Sequence, residues 1–259
     1  MRTLYAVQLN GIELDAIDPR IHTVAVEEQA PKIKIVTLTK TIYDGLRVVR
    51  RERESRSIVI TLVLWERDKA ERFALYSQLV EWADGGGVLC IGYRNAQQIN
   101  VCCEKLPDID GREWRDEIEL TLTAYNPYWR GIDPALVSVT TKAAEAAMVT
   151  MRPNGSAKIT FLEFEIRNNG TAAMTSATIA ANGLTFTLAG FSLASGKTLK
   201  AAYDDNGFLS FTADGASIAE KRSADSADDL LLEQRQDNAV SVTTNQPAKV
   251  TLMAWEQWL

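Results

Sequence analysis

The stretch Leu120-Thr-Leu-Thr-Ala-Tyr-Asn-Pro-Tyr-Trp-Arg130 lies at mid-chain and divides two kinds of sequence. Its first half closes an alternating strand in which Ile118, Leu120 and Leu122 point inward and Glu117, Glu119 and Thr121 point outward. Pro127 forces Asn126 out of helical geometry and removes a ladder donor, so the strand must end there. Tyr125, Pro127, Tyr128 and Trp129 then form an aromatic knot, expected to cover the seam between two domains. Gly131 to Pro134 reads as a linker.

Before the knot the chain is rich in strand signals. Asn10-Gly11 between apolar residues marks a two-residue hairpin. Arg56–Trp65 is apolar on both faces, with Ile58, Ile60, Leu62 and Leu64 on one and Val59, Val63 and Trp65 on the other. Such a strand is expected to be covered on both sides. A helix is expected over 68–84. Asp68 serves as its cap, Glu71 completes a capping box, and Phe73, Leu75, Tyr76, Leu79, Val80, Trp82 and Ala83 share one face. Gly85-Gly86-Gly87 stops it. Between the early strands, "TIYDGLRVVRRERESRS" reads as a long hairpin arm, 39–57, turning at Asp44-Gly45. Its arginines, interleaved with Glu52 and Glu54, have two readings: a charged edge guarding against aggregation, or a protruding arm that pairs with another subunit.

After the knot aromatics thin out, and short strands follow at close spacing, separated by Asn168-Asn169-Gly170, Asn182-Gly183, Ser195-Gly196 and Asp204-Asp205-Asn206-Gly207. That cadence is an antiparallel β-sandwich. Strands are expected at 158–167, 176–181, 184–188, 198–203, 208–212, 239–244 and 249–255, with 213–238 as irregular chain. The fold class is therefore mainly β, in two domains: 1–131, a β domain with one covering helix and the arm, and 134–259, a sandwich.

Composition narrows function. The chain of 259 residues carries a net charge of −6, which argues against nucleic acid or an anionic membrane as the main partner. No run approaches the roughly 18 apolar residues of a membrane span. No signal peptide is seen, so synthesis in the cytoplasm is expected. Cys90, Cys102 and Cys103 fit reduced strand residues, and the adjacent pair points to opposite faces. A single histidine, His22, leaves no His-rich metal site, and no nucleophile elbow or phosphate-binding glycine loop is present. The paired carboxylates Asp204/Asp205 and Asp108/Asp110 sit in turn sequences, and Asp225, Asp228 and Asp229 lack the spacing of a calcium loop. No catalytic, metal or cofactor residue is assigned, and no enzyme activity is expected.

Four features together resemble the distal tail proteins of siphovirus-type bacteriophages. They are the "YDG" hairpin followed by "RSIVITLVL", the helix ending in "ADGGGVLCIGY", the "IELTLTAYNPYWRG" domain end, and a second domain with "LASGKTLKAAYDDNGFL" and the terminal "VTLMAWEQWL". The resemblance implies a galectin-like second domain and a structural adaptor of the virion tail tip, formed as a hexameric ring. It joins the tail tube to the hub or fibre protein and, in some phages, bears receptor-binding proteins. It makes the arm a subunit interface, with Tyr43, Asp44, Gly45, Arg47, Arg50 and Arg51 as its residues. The alternative is a carbohydrate-binding module, which would need exposed rings among Phe186, Phe191, Tyr203, Phe208 and Phe211.

Overall fold

The computed structural model describes residues 5–39, 46–106, 115–203 and 208–259. The chain divides into two compact units, Met1–Trp129 and Arg130–Leu259. The aromatic knot thus ends the first unit. Both units are mainly β, as the alternation predicts, and Lys69–Ala83 is the one α-helix among the described residues.

In the first unit the antiparallel sheet runs in the order Ile12–Glu13, Val7–Leu9, Gly87–Ile91, Gln97–Lys105, Arg115–Ala124, Arg56–Trp65, Ile21–Glu28. The strand Gln97–Lys105 serves both halves. Ile99–Val101 pair with Gly87–Leu89, and Cys102–Lys105 pair with Thr121–Thr123. Asn10 and Gly11 both adopt positive φ, 52° and 82°, the geometry a tight hairpin requires. The Asn10 side chain then donates to the Gly86 carbonyl and accepts from the Val88 amide, which joins this turn to the glycine run after the helix.

The helix begins where Asp68 accepts the amides of Ala70 and Glu71. Glu66, rather than Glu71, accepts the Asp68 amide; Glu71 instead turns its carboxylate toward Arg20. The buried stripe is Arg72, Leu75, Leu79 and Ala83, spaced three and four apart, packed on the strand Arg56–Trp65. Phe73 falls outside that stripe and is exposed, contrary to its expected place on the apolar face. The expected double cover of Arg56–Trp65 holds only in part. Ile58, Ile60, Leu62 and Leu64 are fully buried; on the other face Val63 is buried, Val59 is half-buried and Trp65 is 55% exposed.

In the second unit two sheets enclose the core. The larger runs Ala135–Thr141, Ala248–Ala254, Ile159–Asn168, Thr198–Tyr203, Leu209–Ala213, Ala216–Ser217. The smaller runs Ala146–Met151, Asn238–Thr244, Met174–Ala181, Leu184–Leu193. Phe164, Phe186 and Phe211 fill the centre, with Phe186 stacked on Phe211 at 4.8 Å between centroids. The span 213–238 is not plain irregular chain. It contains the strand Leu231–Glu233, and residues 222–227 lie along the outer edge of Leu184–Leu193. There the Ser223 amide donates to the Thr187 carbonyl, the Ala227 amide to the Thr185 carbonyl, and Ser226 Oγ caps both ends of Thr187. An edge strand with free donors invites pairing with other chains, and this strap closes it. The acidic Asp225–Asp229 run therefore serves as an edge cover.

Candidate functional site

The arm forms a two-stranded ribbon of its own. Ile33–Thr39 pairs antiparallel with Leu46–Arg53, separately from the main sheet. It starts earlier and ends earlier than the expected 39–57, because Arg56 and Ser57 already belong to the main sheet, paired with Ala124 and Thr123. Tyr43, Asp44 and Gly45, and the side chain of Arg47, lie outside the described residues. Before the bulge at Val36/Thr37, one face carries Ile33, Ile35, Arg51 and Arg53, and the other carries Lys34, Val36, Arg50 and Glu52. Arg50 and Glu52 form an exposed ion pair at 2.7 Å, worth little by itself. Ile33 is 63% and Ile35 51% exposed. Residues 33–53 hold six cations against two carboxylates, a net charge of +4, so the rest of the chain carries −10.

The root of this ribbon is built differently. Glu28 ends one strand just before it, and Arg56 opens the next strand just after it. Glu28 Oε2 accepts from Arg56 at 2.8 Å, from Arg94 at 2.7 Å and from the Trp129 indole at 2.9 Å. Glu28 Oε1 accepts from Arg94 Nε at 2.9 Å. The Arg94 guanidinium also lies 5.2 Å from the Trp129 ring centroid. Arg56 is 4% and Trp129 0% exposed. Two guanidiniums thus share one carboxylate, and Arg56 Nε has no hydrogen-bond partner. Burial raises the Glu28 carboxyl, but the hydrogen bonds from Arg94, Tyr93 and Trp129 and the Arg94 charge outweigh it and hold it below the ordinary value. Burial, followed by the bond to Glu28, pushes the Tyr93 phenol well above its usual range.

Around the knot, Trp129 and Pro127 are buried, Tyr125 is 65% exposed with its hydroxyl on Glu104, and Tyr128 is half-buried. Arg53, the last residue of the ribbon, donates to the Tyr128 hydroxyl at 3.2 Å. Sequence reasoning placed Tyr125, Pro127, Tyr128 and Trp129 together but missed Glu28, Tyr93, Arg56 and Arg94. The signal available was an arginine heading an otherwise apolar strand, "RSIVITLVL", since a charge entering a core needs a partner.

Elsewhere the described residues gather no set of three or more His, Cys, Asp or Glu that could hold a metal. His22 is exposed, edge-on to Trp65 at 5.3 Å. Of the rings a sugar site would use, Phe186, Phe191 and Phe211 are buried in the core. Tyr203 is half-buried, tilted against Phe161 at 4.4 Å between centroids with its hydroxyl on Asp229, and Phe208 is 71% exposed. The pairs Asp204/Asp205 and Asp108/Asp110 lie outside the described residues.

Glu28, Asp18 and Glu66 set a pH dependence. The Arg20 hydrogen bond lowers Asp18, and the Asp68 amide followed by Arg20 lowers Glu66. A carboxylate depressed in the folded state contributes stability above its unfolded pKa and loses it as pH falls through the folded value. The melting temperature of the first unit should therefore drop as pH falls below the ordinary value near 4.5. Glu28→Gln should flatten that drop in a pH series of thermal melts; a variant as steep as the parent would count against this assignment.

Compared with protein-family models and with curated proteins, the sequence gives no match. Among solved structures, the chain is similar to the Dit (gp 19.1) protein of phage SPP1, described as a paradigm of the hub adsorption apparatus in phages infecting Gram-positive bacteria. The identity is 12%, with 99% of this chain and 100% of that chain covered, at a TM-score of 0.73. It is also similar to a chain of the phage P2 baseplate in its activated conformation with calcium, at 8% identity, 97% coverage of both chains and a TM-score of 0.54. A strontium form of that baseplate gives 7% and 0.52. The chain carries the fold of these phage hub and baseplate proteins over nearly its whole length.

Proposed function

We propose that the chain is a structural adaptor of a phage tail tip, a component of the virion that forms a hexameric ring and joins the tail tube to the hub or fibre protein. The observation that carries this reading is the end-to-end match to SPP1 Dit, which covers 99% of this chain and 100% of that one. The ribbon supports the ring. A lone two-stranded hairpin is at best marginally stable in water, and this one leaves Ile33 and Ile35 open on a segment of +4. A second copy, net −10 outside its own arm, offers a surface of opposite sign.

The test is particle mass and symmetry, by light scattering over a concentration range followed by negative-stain microscopy. A closed six-fold ring is expected, and a monomer at every concentration overturns the reading. The double variant Ile33→Ser, Ile35→Ser should weaken assembly more than about tenfold, the equivalent of about 1.4 kcal/mol. Rings that form as well as the parent's would remove the arm from the interface.

A further inference from the structure

The root of the arm and the last residue of the first unit close on the same carboxylate. Glu28 and Arg56 face each other where the ribbon leaves and rejoins the sheet, and the Gln29 amide donates to the Ser57 carbonyl beside them. Trp129, 101 positions after Glu28, gives its only side-chain donor to the Oε2 atom that also takes Arg56 and Arg94. The cluster has no slack. Arg56 Nε is already unpartnered, the indole is fully buried, and Arg94 covers the ring face. Arg94 keeps Gln97 and some solvent, but Arg56 and the Trp129 indole are buried donors with this one acceptor, so moving it strands both at once.

We infer that Glu28 is a latch that couples the root of the arm to the chain's exit at Trp129, so that the two are held together and released together. Whatever grips or displaces the ribbon would then be felt where the chain passes into its second unit. The coupling runs through buried groups of one unit and does not depend on the ring reading. Arg53 on Tyr128 is a second link between arm and exit, but it is exposed, and the latch assigns it no coupling.

Amide hydrogen exchange on the full chain tests this. Trp129→Phe keeps a ring and removes the N–H. It is expected to speed exchange at least fivefold both at residues 125–130 and at the distant arm root, 29–32 and 54–57. Glu28→Gln should loosen the same two regions in parallel. Tyr128→Phe should leave the root within about twofold of the parent, as expected where a surface contact carries little energy. Faster exchange at 125–130 in Trp129→Phe with an unchanged root overturns the latch. So does a root that responds to Tyr128→Phe and not to Trp129→Phe. If Glu28→Gln fails to fold, the Trp129→Phe and Tyr128→Phe pair still decides.

Discussion

Glu28→Ala is expected to lower the stability of the first unit by about 3–5 kcal/mol, the usual cost of breaking a buried ion pair by removing one partner. The size of the effect comes from what is left behind. Arg56 at 4% exposure and the Trp129 indole at 0% would each lose the acceptor they now share, and a stranded buried donor costs on the order of 1–3 kcal/mol. The intact cluster need not be a strong net stabiliser. Desolvating two guanidiniums and a carboxylate offsets much of their attraction, so the triple replacement Glu28→Met, Arg56→Met, Arg94→Met should cost less than the single alanine, its remaining penalty being the stranded Trp129 N–H. Thermal unfolding separates these cases. A shift on the order of 10–20 °C is expected for Glu28→Ala in a unit of this size. A shift below about 2 °C would mean that water replaces the carboxylate freely and the site is not dry.

The contrast between what the sequence shows and what it hides follows from range. The Asn10-Gly11 turn, the Asp68 cap and the inward set Ile118, Leu120 and Leu122 are local signals, read within a few residues, and all are present. Pro127 likewise marks the end of Arg115–Ala124. The Glu28 cluster joins residues at 28, 56, 94 and 129, and no period of 2 or 3.6 encodes such a set. Phe73 was misplaced because periodicity assigns large apolar residues to the core, whereas the helix buries Arg72 in the stripe instead. The strands Ala135–Thr141 and Ala146–Met151 escaped notice because their outward positions carry Leu136 and Met148, 60% and 64% exposed, which blurs the alternation. The strap over Leu184–Leu193 works through backbone bonds, so it needs little apolar pattern; Ile218 and Leu230, beyond its two ends, are buried. The arm was legible as a hairpin from its charges and its "YDG", but its register and the place where it rejoins the sheet depend on pairing across 20 residues.

Gly86→Ala should be the most damaging small substitution at the end of the helix, and Gly85→Ala beside it is the control. Both glycines have positive φ, 67° and 74°, so an alanine at either costs about 1–2 kcal/mol in backbone conformation. The difference lies in space. A Cβ on Gly85 meets nothing within 4 Å, whereas one on Gly86 would stand 2.1 Å from the Val101 carbonyl oxygen and 2.7 Å from the Cys102 Cα. Those are backbone atoms of the strand that turns the sheet, at the point where it passes from one half to the other. They cannot swing aside as a side chain can. Making room means opening the Gly87–Val101 pairing and straining the Asn10 bond to the Gly86 carbonyl. The expected loss for Gly86→Ala is therefore above about 4 kcal/mol, in the range reserved for a named structural failure, against about 1–2 kcal/mol for Gly85→Ala. Denaturant unfolding of the two variants gives the comparison directly. Equal losses would show that backbone strain alone accounts for the glycines, and that the bend in Gln97–Lys105 can shift to admit a methyl group.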